Sequence, residues 1–164
     1  MAKRRRSYET GHRRKFLVVV DDTPEVDQAI CYAALRAERT GGVITMLYVI
    51  DDTDFRSFIG IEKVMRQDAR EQAELTLAKA AERAKTFARV DPETVIREGG
   101  RASGIVSYIE EDEDVAVLVL AAGTGNDGPG PLVSSLAGRG AASFPIPVTI
   151  VPGSLTPDEI KALA

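Results

Sequence analysis

Five short runs of apolar or β-branched residues recur along the chain, separated by stretches with helical spacing. They cover Phe16 to Val20, Val43 to Ile50, Glu93 to Arg97, Val115 to Leu120 and Val148 to Val151. The first and fourth are continuously apolar, as expected of strands covered on both faces of a parallel sheet. The first stops abruptly at Asp21-Asp22.

Between the first two runs, Val26, Ile30, Ala33 and Ala37 recur at helical spacing and form a core-facing stripe. Thr23 is the expected N-cap, with Pro24 in the first helical position and Glu25 in the first turn. Gly41-Gly42 ends that helix. A longer helix is predicted from about Ile61 to Ala88, with Ala69, Ala73, Leu77, Ala80, Ala84 and Phe87 on one face. Ser103 is the expected cap of a third helix carrying Ile105, Tyr108 and Ile109, and a fourth should start near Leu132. Pro145 and Pro147 exclude helix and lead into the last strand. Thr156 with Glu159 has the spacing of a capping box for a short terminal helix.

Strand–helix alternation predicts an α/β fold: a doubly wound five-stranded parallel sheet with helices on both faces. Ligands of such sheets bind beyond the carboxyl ends of the strands, where the strand order reverses. The two unusual loops follow the first and fourth strands. If those strands are neighbours, Asp21 and the second loop share one crevice.

Charge divides the chain. Seven of its 21 basic side chains and one of its 25 acidic ones lie in residues 1–15, leaving 14 against 24 for the rest. Residues 1–15 therefore read as a disordered basic tail, dispensable for folding. Residues 16–153 read as the α/β domain, and 154–164 as a short C-terminal helix or tail. The acidic body and the 5% aromatic content speak against nucleic-acid binding. One cysteine, Cys31, and one histidine, His12, leave no metal-ligand cluster and no histidine-based catalytic arrangement. The lone cysteine suits a reducing compartment, and a cytoplasmic protein is expected. No apolar run is long enough to span a bilayer, and no signal peptide is recognisable at the start.

The segment AAGTGNDGPGPLVSS, Ala121 to Ser135, carries the candidate chemistry. Gly123, Gly125, Gly128 and Gly130 permit close approach of backbone to a phosphate. Ser134 and Ser135 offer hydroxyl donors near the following helix. No Lys or Arg stands in the loop, and Asp127 adds a negative charge. Gly123, Gly125 and Gly128 also satisfy G-x-G-x-x-G, but on the fourth strand and without an acid ending the next one. A dinucleotide-binding reading therefore fails. There is no Walker loop. A phosphoacceptor receiver would need an aspartate ending the third strand and a lysine after the fifth, where this chain has Glu98 and Gly153-Ser154.

Together these pieces resemble the universal stress protein family. LVVVDDTPE (Leu17 to Glu25) is similar to that family's first strand, which ends in an aspartate. RTGGVITMLYVID (Arg39 to Asp51) resembles the second strand and the helix end before it. VLVLAAGTG and the proline-flanked FPIPVTIV resemble the last two strands. The likeness covers about residues 16 to 152.

The resemblance implies a homodimer and, in one branch, binding of ATP or AMP, with Asp21 and backbone near Val49 on the adenosine. The phosphate loop of that branch reads glycine, two residues, glycine, nine residues, glycine and a hydroxyl residue. Counting back from Pro145 and Pro147 puts the final pair on Ser134-Ser135 and the first two glycines on Ala121 and Thr124. A shift by one residue gives Ala122, Gly125, Ser135 and Leu136. The expectation is a binding and signalling module rather than an enzyme. It would hold an adenine nucleotide through Asp21, Val49, Gly123, Gly125, Gly128, Gly130, Ser134 and Ser135, and dimerise through its fifth strand. A nucleotide-free interaction module of the same fold is the alternative, with an unidentified protein as partner. Nucleotide hydrolysis is a weaker third reading, since Asp21 and Asp127 are the only candidate bases near the loop.

Overall fold

The computed structural model describes residues 3–52, 61–138 and 140–164; Met1 and Ala2 of the expected tail lie outside them. Five strands, β1 (Lys15–Val19), β2 (Val43–Ile50), β3 (Glu93–Glu98), β4 (Val115–Ala122) and β5 (Val148–Pro152), form one sheet in the order β3-β2-β1-β4-β5. Every pairing is parallel. The order reverses between β1 and β4, the two continuously apolar strands, so their following loops open on the same side. This is the expected doubly wound sheet.

Alternation along β1 divides the core. Phe16, Val18 and Val20 face a cluster with Ala29, Ile30 and Ala33 of α1 (Val26–Thr40), Leu77, Ala80 and Ala84 of α2 (Glu62–Phe87) and Ile160 of α5 (Pro157–Leu163). Leu17 and Val19 face the other way, against Ile105 and Ile109 of α3 (Arg101–Glu111) and Val133 and Leu136 of α4 (Pro131–Ala137). The side-chain period of two in a strand thus fixes which helices cover which face. Of the α2 stripe, Ala73, Leu77, Ala80 and Ala84 are buried.

Two helix starts differ from the sequence reading. The first helix begins at Val26, because the Thr23 hydroxyl bonds Asp21 instead of capping. The third begins at Arg101, and Ser103 lies inside it with its hydroxyl donating to the Gly100 carbonyl at 3.1 Å. Thr156 does cap its helix, accepting from the Glu159 N–H at 3.2 Å.

The basic stretch expected to be disordered is instead laid against the corner between α3 and β4. The Arg5 Nη1 atom donates to the carbonyls of Ile109 at 2.6 Å, Asp112 at 3.0 Å and Val115 at 3.4 Å. Carbonyls at a helix C-terminus have no partner within the helix, and a guanidinium supplies one. His12 Nδ1 lies 2.6 Å from Asp114 Oδ1, and Arg6 lies 3.6 Å from Glu113. Ser7 is buried, and the Arg14 guanidinium sits over the Tyr8 and Phe16 rings. Lys15, counted with the tail by charge, is the first residue of β1 and pairs with Asp112 at 2.6 Å and Glu93 at 3.0 Å. Burial alone would raise the Asp112 carboxyl, but the Lys15 ammonium, the Asp114 N–H and the Tyr108 hydroxyl together outweigh it and hold the group below the usual carboxylate range.

Candidate functional site

The chain leaves β1 through Val20 and turns sharply at Asp21. Asp21 Oδ1 accepts from the Thr23 N–H at 3.0 Å and from the Thr23 hydroxyl at 2.5 Å, a local arrangement open to Asp and Thr but closed to apolar residues. This commits one carboxylate oxygen to the turn. The other, Oδ2, faces Arg101 Nη1 across 4.0 Å.

Asp21 lines a crevice of about 480 Å³, open mouth included, at the carboxyl end of the sheet. Val19, Leu120 and Val133 form its apolar floor and wall; Thr23, Glu25, Arg101 and Gly130 are at its polar side. Two further hollows adjoin it. One shares Asp21, Thr23 and Val26 and reaches Lys79 and Arg83 of α2. The other shares Arg101 and is lined by Tyr48, Val49, Ile50, Ala69 and Gln72. Arg101 therefore stands between the residues that follow β1 and those ending β2. Gly104 lets α3 lie this close: a Cβ there would sit 3.1 Å from the Val49 side chain. Burial, with the nearby Asp22 and Asp21 charges, pushes the Tyr48 phenol up, so its hydroxyl stays a donor.

The glycine-rich loop closes on itself. The Gly123 N–H donates to Pro129 O at 3.0 Å, and the Gly128 N–H to Gly125 O at 3.2 Å. Gly128 and Gly130 take φ values of 86° and 106°, a region glycine enters at little cost. Gly125 is exposed, with nothing within 4 Å of where a Cβ would stand. Of the predicted site residues, Asp21 and Gly130 line the crevice, and Val49 lines the adjoining hollow. Gly123, Gly125 and Gly128 belong to the loop beside the crevice. Ser134 and Ser135 are exposed positions within α4.

Sequence reasoning missed two charged groups. Arg101 was hidden by the expected cap at Ser103, which left it outside the helix. Glu25 read as a first-turn acid favoured by the helix dipole. In the structure its carboxylate lies against the loop, where a Cβ on Gly123 would approach Glu25 Oε1 to 3.1 Å. Its Cβ would stand 3.1 Å from one placed on Gly153, so Glu25 is held between the loop after β4 and the turn after β5.

Cys31 is buried, and burial pushes its thiol up. No group of His, Cys, Asp and Glu among the described residues could hold a metal ion. For the adenine nucleotide implied by the resemblance, the two ends of the site differ. Acceptors at Asp21, donors at Arg101 and Tyr48, and apolar walls suit a nucleoside. The loop suits phosphates poorly, since the Gly123 and Gly128 amides are bonded internally and no cation stands in it.

Solved structures share this architecture. A universal stress protein from Lactobacillus plantarum is 21% identical, with a TM-score of 0.69 over 84% of this chain and 97% of that one. A universal stress protein from Archaeoglobus fulgidus in complex with dAMP is 17% identical, with a TM-score of 0.60 over 84% and 97%. A universal stress protein in complex with cAMP is 19% identical, with a TM-score of 0.56 over 86% and 98%. No curated protein sequence matches significantly. Among the described residues, no helix is long and apolar enough to cross a membrane. The universal stress protein family model matches residues 12–152, and the chain belongs to that family.

Proposed function

We propose that this protein is a cytoplasmic, non-catalytic binding and signalling module whose crevice beyond β1 and β4 holds the adenosine part of an adenine nucleotide. The observation that carries the reading is the convergence of Asp21 and Arg101 at the strand reversal, between the apolar crevice and the hollow containing Val49. A carboxylate with one committed oxygen can accept ligand hydroxyls through the other. The complexes of two related universal stress proteins with cAMP and dAMP support an adenine ligand here. Calorimetric titration with adenosine tests it. Asp21→Ala should weaken binding at least about tenfold, since hydrogen bonds to charged groups are worth about 1.5–3 kcal/mol. Equal affinity in the two proteins would remove Asp21 from the site. The absence of binding to either would favour the nucleotide-free interaction module.

The protein is also proposed to be a homodimer joined through β5. That strand lies at a sheet edge, and Ile150 on it is exposed. Unpaired N–H and C=O groups on an edge invite antiparallel pairing with a symmetry mate. Light scattering at micromolar concentration should give a dimer mass, and Ile150→Lys should shift it toward monomer. A monomeric unmodified protein would contradict this.

A further inference from the structure

The crevice is unusually acidic for a phosphate site. Among the described residues, its charged lining consists of Asp21, Glu25 and Arg101, two carboxylates against one guanidinium. That guanidinium already faces Asp21. Glu25 is half-buried, and its carboxylate makes no hydrogen bond or ion pair with the described residues. It points at the start of the loop, beside Gly123, where a phosphate would have to lie to use loop amides. Those of Gly123 and Gly128 are spent on Pro129 and Gly125 carbonyls. The adjoining hollow offers no refuge for a polyanion: Lys79 and Arg83 share it with Asp21, Asp22 and Asp27, and Arg83 is bonded to Asp27 at 2.6 Å.

We propose that the crevice selects its ligand by charge, taking a nucleoside or a singly charged nucleotide over a nucleoside triphosphate, with Glu25 as the discriminating residue. This rests on the adenosine reading above. The physical basis is repulsion between like charges a few ångströms apart in a partly desolvated cleft, where water screens weakly. An uncharged nucleoside meets none of it, and Glu25 can accept a hydrogen bond from one of its hydroxyl or amino groups. A triphosphate brings close to four negative charges toward a carboxylate that makes no ion pair with the described residues.

The test is a calorimetric series with adenosine, cyclic AMP, AMP and ATP, free of divalent cations and at low ionic strength. It uses the unmodified protein and Glu25→Gln, which keeps size and shape. Affinity should fall along the series, with ATP at least about tenfold weaker than adenosine. Glu25→Gln should raise the ratio of ATP to adenosine affinity about tenfold. Added salt should narrow the gap in the unmodified protein by screening, a response that a packing role for Glu25 would not give. ATP binding as tightly as adenosine, or a ratio unmoved by Glu25→Gln, overturns charge selection while leaving the adenosine site standing. Failure of every ligand with both proteins overturns the adenosine reading and this inference with it.

Discussion

Deleting residues 1–14 should lower the melting temperature by about 5–10 °C while leaving ligand affinity unchanged. Arg5 alone satisfies three carbonyls at the C-terminal end of α3 and the start of β4. Charged hydrogen bonds of this kind contribute about 1.5–3 kcal/mol in net terms. The His12–Asp114 contact and the buried Ser7 add to that. A total near 2–4 kcal/mol corresponds to the stated shift for a chain of this size. Binding should survive because the arm docks where β1 and β4 begin, at the opposite end of the sheet from the crevice. The check is thermal unfolding of the truncated and full chains, with adenosine titration of both. An unchanged melting temperature would show that these contacts contribute nothing in solution.

A second large effect is expected at Gly153. A Cβ on this residue would stand 2.4 Å from the Ala122 carbonyl oxygen, 3.1 Å from the Glu25 Cβ and 3.4 Å from a Thr124 methyl. Its N–H also donates to that carbonyl at 2.9 Å, joining the ends of β4 and β5. Backbone cannot rotate away as a side chain can, so Gly153→Val must part the two strand ends. A cost of about 2–3 kcal/mol follows from overpacking of this kind, again about 5–10 °C. Gly125→Val is the contrast, because nothing stands within 4 Å of its Cβ position; its melting temperature should change little. Equal melting temperatures for the two variants would mean that the β4–β5 junction is looser than described.

The sheet was legible because strand burial is written in the residues themselves. Phe16 to Val20 and Val115 to Leu120 could only be central strands, and their adjacency placed the strand reversal. Helix starts were less legible. Thr23 and Ser103 have the chemistry of caps, yet each hydroxyl found a nearer oxygen, on Asp21 and on Gly100. Local competition of this sort is decided by turn geometry, which residue type alone does not specify. The misplaced third helix start concealed Arg101.

The loop was read for its glycines, but spacing cannot say whether an amide points at a ligand or at a carbonyl of the same loop. The basic arm was read as solvated because a charge run lacks apolar periodicity. Its partner was visible all along in Glu110 to Asp114, five consecutive acids running from the end of the third helix to the start of the fourth strand. Only the topology brings the two runs together, by placing the start of β1 beside the start of β4.

The proposed adenosine-type ligand sits where β1 and β4 part, within reach of the end of β2. Amide chemical shifts of the labelled protein, followed as adenosine is added, test it residue by residue. Saturable shifts are expected at Asp21, Thr23, Val49, Arg101 and Gly130, with the amides of residues 5–12 unmoved. Saturable shifts confined to other surfaces, or none at millimolar adenosine, would contradict it.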